Sequence, residues 1–517
     1  MTNEELAAAL IEIADQLEEL EENPYRIRAY RRAANSLKRY PKEVKDMLAS
    51  ETDLTIIPKI GVHLAEKLKQ MVLTGVVIYP SAKPAINYPE KLKNKIRKPP
   101  SFRIYAQMFV IDRIIKFLKN IPQIKKIECA GDFRRKKDIV SDVEILMITD
   151  EPQIVFKEFH QFISIKYMIT TEKDFTIVQL KSGVRLTLVA VEENNFGAKL
   201  LASTGSTEHY QHIQKLAKTK NYRLTERGLF ERRKKIAGST EEEIYQQLNL
   251  SFIPPELREN RGEIECAHAH ALPKLIELKD IRGDLHCHTN ETDGAFSLEE
   301  MVEAAQMQGY EYVAITDHSQ SLKITHGMDE KRLLQQIKLI DRLNEKLSNF
   351  KILKSMEIDI LLDGSLDLSM DVLKELDLTV CSVHSHFRLP SDQQTERVIR
   401  AMDNPYFNIL GHATGRLIKH RPPYPIDIDR ILRAAKERHC FIEVNAQPAR
   451  LDIHDLYCQK AKEMGVKVAI SSDAHTTKGF SFMILGVNQA RRGWLTASDV
   501  INTYPWKELK KLLSRKF

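Results

Sequence analysis

The polar and apolar positions of this 517-residue chain change period along its length. At the start Leu6, Leu10, Ile13, Leu17 and Leu20 recur at helical spacing among acids. This predicts an amphipathic helix that Thr2, Asn3 or a neighbour caps. DLTIIPKIGVHLAEKLKQMVLTG then reads as a helix, a tight turn and a second helix. Residues 78–102 are rich in Pro and Lys and read as a linker with one short helix. A helix from about Phe102 to Asn120 precedes a mixed α/β segment that reaches about Leu250. Beyond Gly283 the pattern is short, β-branched apolar runs: EYVAITDH, ILKSMEID, LTVCSVHSH, FNILGHATGR and KVAISSDAH. Continuous apolar runs of that length predict parallel strands covered on both faces. Each ends in a polar residue, and most follow one another roughly 30 residues apart, about one βα unit. That implies a barrel of parallel strands with its site at the C-terminal rim.

Composition narrows the class. At 43% hydrophobic and 29% charged, the chain is globular and long enough for two or three domains. No apolar run approaches the roughly 20 residues of a membrane helix, and the first helix is too acidic for a signal peptide. Cys129, Cys266, Cys287, Cys381, Cys440 and Cys458 show no repeating spacing, so free thiols in a reducing cytoplasm are expected. The net charge of +7 is modest, which makes its distribution the informative quantity.

Cations concentrate in the first half. In NPYRIRAYRRAANSLKRY, Arg26, Arg28, Arg31 and Arg32 interleave with Tyr25, Tyr30 and Tyr40, and no acid intervenes. Cations that neutralise phosphates, beside aromatics that stack on bases or sugars, point to nucleic acid. The turn IPKIG, with Lys59 and Gly61, is of the kind whose amides grip one backbone phosphate. Lys91, Lys93, Lys95, Arg97, Lys98 and Arg103 extend the basic stripe. Farther on, IKKIECAGDFRRKKDIVSDVEILMI predicts a strand, a basic turn and a strand carrying Asp142 and Glu144 on one face, an arrangement able to chelate Mg²⁺. In the last half, His286 and His288 stand two apart in GDLHCHTNETDG, flanked by Asp284 and Asp293. Such a pair is ordinary on a half-buried strand. The echo at Asp317-His318, Glu357, His384, His412, Asp473 and His475 lifts it above that.

With these motifs in hand, FIPPELRENRGEIECA, LPKLIELKDIRGDLHCHT, NAQPARLDI and SSDAH are specific enough to carry a resemblance over nearly the whole chain. It resembles the bacterial family-X DNA polymerases (PolX), which join a DNA polymerase β-like module to a C-terminal PHP (polymerase and histidinol phosphatase) domain. The resemblance implies a multidomain α/β protein. Residues 1–77 would be a helical, 8-kDa-like helix-hairpin-helix DNA-binding domain, and 78–120 a linker with reduced fingers. Residues 121–250 would form an α+β palm and thumb, 251–281 a linker, and 282–517 a distorted (β/α)₇ PHP barrel acting as a metal-dependent phosphoesterase.

The departures from the family pattern fall in the polymerase half. Where the family has Gly-Ser before two arginines, Asp132 replaces the serine and sets an anion where a triphosphate must bind. The catalytic D-x-D is Asp142 and Glu144, and the third aspartate position, in GVRLTLVAV, is Thr187. Nucleotide-touching positions after Thr204-Gly205-Ser206 are His209, Tyr210 and Gln214. Two-metal transfer needs carboxylates to clamp the ions. The resemblance therefore implies a vestigial polymerase that still binds DNA, with Mg²⁺ in its palm only if it is active. Lys67 aligns with the family's Schiff-base lyase lysine.

All nine PHP ligand positions, by contrast, are filled: His286, His288, Asp293, His318, Glu357, His384, His412, Asp473 and His475. The resemblance implies three divalent ions, with His286, His288 and Asp473 on one and Glu357 bridging two. His/carboxylate donors suit Zn²⁺, Mn²⁺ or Fe²⁺ better than Mg²⁺. Such ions activate water for in-line attack on phosphorus, and Arg416 and Arg450 would offset phosphoryl charge. His326, His386 and His420 are left as surface or supporting residues. The expected function is DNA repair: a 3′–5′ exonuclease or abasic-site nuclease acting on gapped, nicked or 3′-ended DNA, cytoplasmic, nucleoid-associated in use and monomeric. The alternatives are an active gap-filling polymerase, a small-molecule phosphatase of the histidinol-phosphate kind and a non-catalytic DNA-end binding protein.

Overall fold

The computed structural model describes residues 2–19, 24–50, 52–74 and 102–514. The linker stretch 78–101, with the cations from Lys91 to Lys98, lies outside them. The chain divides into two compact units. The smaller is mainly the N-terminal helices, and the larger runs over 102–165, 172–176 and 186–517.

The smaller unit contains α1 (Asn3–Glu19), α2 (Pro24–Arg39), α3 (Val44–Ala49) and α4 (Val62–Thr74). Leu6, Leu10 and Ile13 of α1 meet Ala33, Ala34 and Leu37 of α2 and Leu68 and Met71 of α4 in one core. Thr2 caps α1 by accepting from Glu5 N at 3.2 Å. Asn3 instead clamps the start of α3, accepting from Val44 N at 2.8 Å and donating to Lys42 O at 2.8 Å. In the turn before α4 the conformational demand falls on Lys59. Lys59 takes the left-handed conformation, with φ +68°, at a cost of roughly 1–2 kcal/mol. Gly61 has a helical neighbour and no such φ.

In the larger unit the predicted helix after the linker spans Ile104–Lys119. The palm places β1 (Lys126–Cys129), β2 (Asp142–Ile148) and β3 (Arg185–Ala190) side by side in that order. The thumb hairpins β4 (Tyr222–Thr225), β5 (Gly228–Glu231) and β6 (Lys234–Ala237) follow. Residues 251–281, expected as a linker, are folded onto the thumb. Ile253, Leu257, Ile264 and Ala267 share its core with Ile213, Leu229 and Ile244, and Arg258 is fully buried. The apolar positions there are too closely set for a solvated connector.

The C-terminal half forms two parallel sheets. One is β7 (Gly283–Cys287), β8 (Tyr312–Ile315) and β9 (Lys351–Lys354). The other is β10 (Glu357–Asp359), β11 (Val380–Ser382), β12 (Ile409–Leu410), β13 (Phe441–Asn445) and β14 (Val468–Ser471). Parallel bridges Cys287↔Ala474 and His318↔Glu357 join their edges. Because β9 and β10 are nearly continuous in sequence, the strands make a ring of seven positions, distorted where β9 bends into β10. Their inward residues, Leu285, Ala314, Leu353, Val380, Ile409 and Ala469, fill one end of the ring. Polar side chains at the C-terminal strand ends fill the other.

Candidate metal centre

All nine predicted ligands lie at this rim, because β7, β8, β9, β11, β12 and β14 each end within three residues of one; Glu357, which follows β9, is the first residue of β10. The backbone is bent to deliver two of them: His412 has φ +25° and Asp473 φ +52°, both in the left-handed region that non-glycine residues avoid. Gly411 serves the same end. A Cβ there would stand 2.3 Å from Ser382 Oγ, so only glycine lets the end of β12 approach β11 and bring His412 beside His384.

Three groups of donors converge, the atoms within each lying within 4.8 Å of one another. They are His286, His288 and Asp473; His288, Asp293, His318 and His475; and His318, Glu357 and His384. His288 and His318 are shared between groups. Glu357 turns one oxygen to His412 Nε2 (2.9 Å) and His384 Nε2 (3.3 Å), and the other to His318 Nδ1 (2.9 Å) and His286 Nε2 (3.4 Å).

The donor set fits divalent ions. The Nε2 atoms of His286 and His288 face each other at 3.1 Å, and the buried Nδ1 atoms of His288 and His412 find no hydrogen-bond partner among the described residues. Buried imidazoles aimed at one another are costly unless a cation takes their lone pairs. The local fields say the same. Burial disfavours charge on His286, but Glu443, Glu357 and Asp473 outweigh it and hold its pKa well above the ordinary value. Burial and the neighbouring His475 and His318 press His288 down to about 4. Glu357 and Asp473 stay ionised against burial because imidazoles surround them.

Supporting residues fix the ligands, and the sequence reading missed Glu443, Asn445 and Asp359 among them. Glu443 accepts from His286 Nδ1 at 2.7 Å, leaving Nε2 to point inward, and also from His412 N at 2.7 Å. Asn445 bridges Glu443 and Asp473. Asp359 meets His384 Nδ1 at 3.1 Å. The legible signal was an acid inside the apolar run CFIEVNAQ. Asp317 accepts from Thr289 N and Oγ1, Thr292 Oγ1 and Gln336, which pins the loop carrying His288 and Asp293. Buried Asp284 anchors His286 N and Ser472 N, and its carboxyl is pushed up to about 6 by burial.

One expectation for this rim changes. Arg450 does reach Asp473, Nε to Oδ2 at 3.4 Å. Arg416 does not offer its guanidinium to the centre. It donates to the carbonyls of Arg450 and Leu451 and pairs with Asp138 at 3.1 Å, because the loop after β12 turns it toward the palm. His326, His386 and His420 are exposed.

The palm holds a second cavity, about 520 Å³, lined by Asp132, Arg135, Asp142, Glu144, Thr187, Ser203 and Glu259 among others. Asp142 and Glu144 thus share one site, as the strand pattern predicts, and Thr187 joins them, as the resemblance implies. Burial raises the Glu144 carboxyl. The arginines are committed elsewhere. Arg135 donates to Asp132 (2.5 Å), Glu259 (3.0 Å) and Thr204 O (2.6 Å), while Arg134 grips Glu241 through both terminal nitrogens. His209 is buried between Glu263 and Tyr245, and Gln214 donates to Leu224 O, so neither opens to a nucleotide.

On the helical unit, Arg31, Arg32, Lys59 and Gly61 are exposed. Arg26 and Arg28 belong to α2, with side chains outside the described residues. Tyr30 is not open for stacking. It lies on the same helical face as Ala33, Ala34 and Leu37, is buried in the core, and accepts from Lys67 Nζ at 3.2 Å. Lys67 is half-buried against that ring.

No helix among the described residues is long and apolar enough to cross a membrane. Comparison with known proteins matches a helix-hairpin-helix domain at residues 1–77, a DNA polymerase beta thumb at 199–259 and a PHP domain at 284–447. The chain is 36% identical over 465 residues to the DNA polymerase/3′-5′ exonuclease PolX of Bacillus subtilis (strain 168), covering 88% of this chain and 81% of that one. A probable phosphatase of Thermoanaerobacter sp. (strain X514) is 33% identical over 244 residues, 45% of this chain and 94% of its own. A probable phosphatase of Caldanaerobacter subterraneus subsp. tengcongensis is 36% identical over 203 residues, 37% of this chain and 75% of its own. Domain signatures in this order, with that identity running through palm, thumb and barrel, make the chain a member of the PolX family of bacterial family-X DNA polymerases.

Proposed function

We propose that this chain is a DNA-repair nuclease whose PHP domain, residues 282–517, hydrolyses DNA phosphodiesters as a 3′–5′ exonuclease or abasic-site nuclease. The observation that carries the reading is the convergence of six imidazoles and three carboxylates in overlapping groups at one rim. Nine donors suit three divalent ions, Zn²⁺, Mn²⁺ or Fe²⁺, held by His286, His288, Asp293, His318, Glu357, His384, His412, Asp473 and His475. When bound, such ions supply Lewis acidity at a phosphoryl oxygen and lower the pKa of water toward neutrality. The chain's own part is to orient the imidazoles through Glu443 and Asp359 and to set the Arg450 cation at the rim, where it can meet phosphate charge. The helical domain, through Arg26, Arg28, Arg31, Arg32, Lys59 and Gly61, holds gapped, nicked or 3′-ended DNA. Lys67, engaged by Tyr30, is left without a lyase role. The palm and thumb bind DNA without extending it, since Thr187 lacks a carboxylate and Arg134 and Arg135 are held by acids. The protein works in the cytoplasm.

A small-molecule phosphatase is the second reading, favoured by relatives that match the barrel alone. A labelled primer–template with Mn²⁺, with and without dNTPs, tests the first. Shortening in both lanes, lost in H286A/H288A, is expected. Lengthening that D142A/E144A abolishes would overturn the polymerase reading, and shortening retained in H286A/H288A would overturn the metal-centre reading. Salt separates the two substrates: DNA cleavage should fall steeply with salt, and p-nitrophenyl phosphate turnover should not.

A further inference from the structure

A cleft of about 380 Å³ opens where the palm residues Asp138 and Ile139 face the loop 416–423 that follows β12. Its floor is apolar, made by Ile139, Leu417, Ile418, Pro422 and Pro423. Two cations edge it. Lys419 is exposed beside the exposed His420, and Arg421 is held over the Phe387 ring at 4.2 Å while donating to Gly415 O. Asp138 pairs with Arg416. Lys419 keeps the left-handed backbone, φ +67°, at a position glycine or asparagine would occupy with less strain.

The cleft also has a direction. At one end, Lys137, next to Asp138, lines the palm cavity. At the other, Arg416 donates to the carbonyl of Arg450 at 2.8 Å, and Arg450 reaches the metal-site residue Asp473. A short run of neighbouring residues therefore leads from the palm cavity to the rim of the metal centre.

We propose that this cleft binds the unpaired 3′ segment of a DNA strand and feeds it to the metal centre. The inference rests on the reading that the centre cuts DNA. Cationic edges fit the phosphates, while an apolar floor fits sugars and base faces, which only an unpaired strand exposes. Duplex DNA would use the cations and leave the floor unused. A small phosphorylated metabolite would use one cation and leave the length of the floor uncovered.

The test uses the full chain and a 5′-labelled single strand of about 12 nucleotides, with metal omitted, read by fluorescence anisotropy. Lys419→Glu/His420→Glu is expected to raise Kd about tenfold and to lower the salt slope by about 1. An unchanged Kd overturns the proposal. So does equal loss of affinity for a blunt duplex, or equal binding of polyglutamate. A second measurement does not depend on those variants: Pro422→Cys should cross-link to a bromoacetamide on an internal base of the 3′ segment, and absence of the adduct at every internal position counts against the groove. Hydrolysis of bis(p-nitrophenyl) phosphate with Mn²⁺ is read separately. If wild type fails there while strand binding responds as expected, the nuclease reading fails and the groove stands.

Discussion

Glu443→Gln is the perturbation that most directly asks whether the rim is built for metal. Glu443 is fully buried and accepts three hydrogen bonds: one oxygen from His286 Nδ1 at 2.7 Å, the other from His412 N at 2.7 Å and Asn445 Nδ2 at 3.1 Å. Glutamine matches its shape but replaces one acceptor with a donor. If the new NH₂ faces His412 N and Asn445, buried donors oppose one another, at about 1–3 kcal/mol for each unsatisfied group. If it faces His286, that ring must carry its proton on Nε2, and the inward lone pair is lost. Either way a ligand is disordered or withdrawn. Loss of such an outer hydrogen bond lowers metal affinity by about 10–100-fold, or roughly 1.4–2.7 kcal/mol. The assay is a Zn²⁺ or Mn²⁺ titration against a competing chelator, with the melting temperature of the metal-free protein measured alongside. A lower Tm with wild-type affinity would make Glu443 a packing residue and refute the reasoning.

Two further outcomes follow from the palm and thumb. Thr187→Asp restores the third carboxylate, yet no primer extension is expected on a gapped substrate, because Asp132 and Glu259 still hold Arg135; extension by this single variant would refute the account. Burial works against ionisation of Glu241, but Arg258 and Arg134 overcome it and draw its pKa down to about 2. A depressed carboxyl stabilises the fold above its unfolded pKa of about 4.5, and that contribution fades as pH falls toward 2. Glu241→Gln should therefore cost on the order of 3 kcal/mol at pH 7 by urea unfolding and much less at pH 3. An equal cost at both pH values would show that charge is not the cause.

Much of the site could be read from the chain because its chemistry is local to strand ends. A His or acid that closes an apolar β-branched run must emerge at the rim of a parallel barrel, so most of the metal-site residues stood out from the pattern, and the family resemblance completed the set of nine. The palm pair Asp142 and Glu144 was legible because alternation along a strand fixes which residues share a face, whereas Thr187, on another strand, was placed beside them only by the family resemblance. The sequence could not say where long side chains end. Arg416 has the reach to meet a phosphate, but the turn after β12 sends it to Asp138; Tyr30 has the ring to stack on a base, but its helical phase buries it. Nor could it show that 251–281 folds onto the thumb, or that Glu443 holds His286, because those contacts join positions far apart in the chain. Periodicity and residue chemistry set which elements form and which atoms can coordinate or carry charge. Partnership between distant groups depends on how the elements pack, and only the tertiary structure decides it.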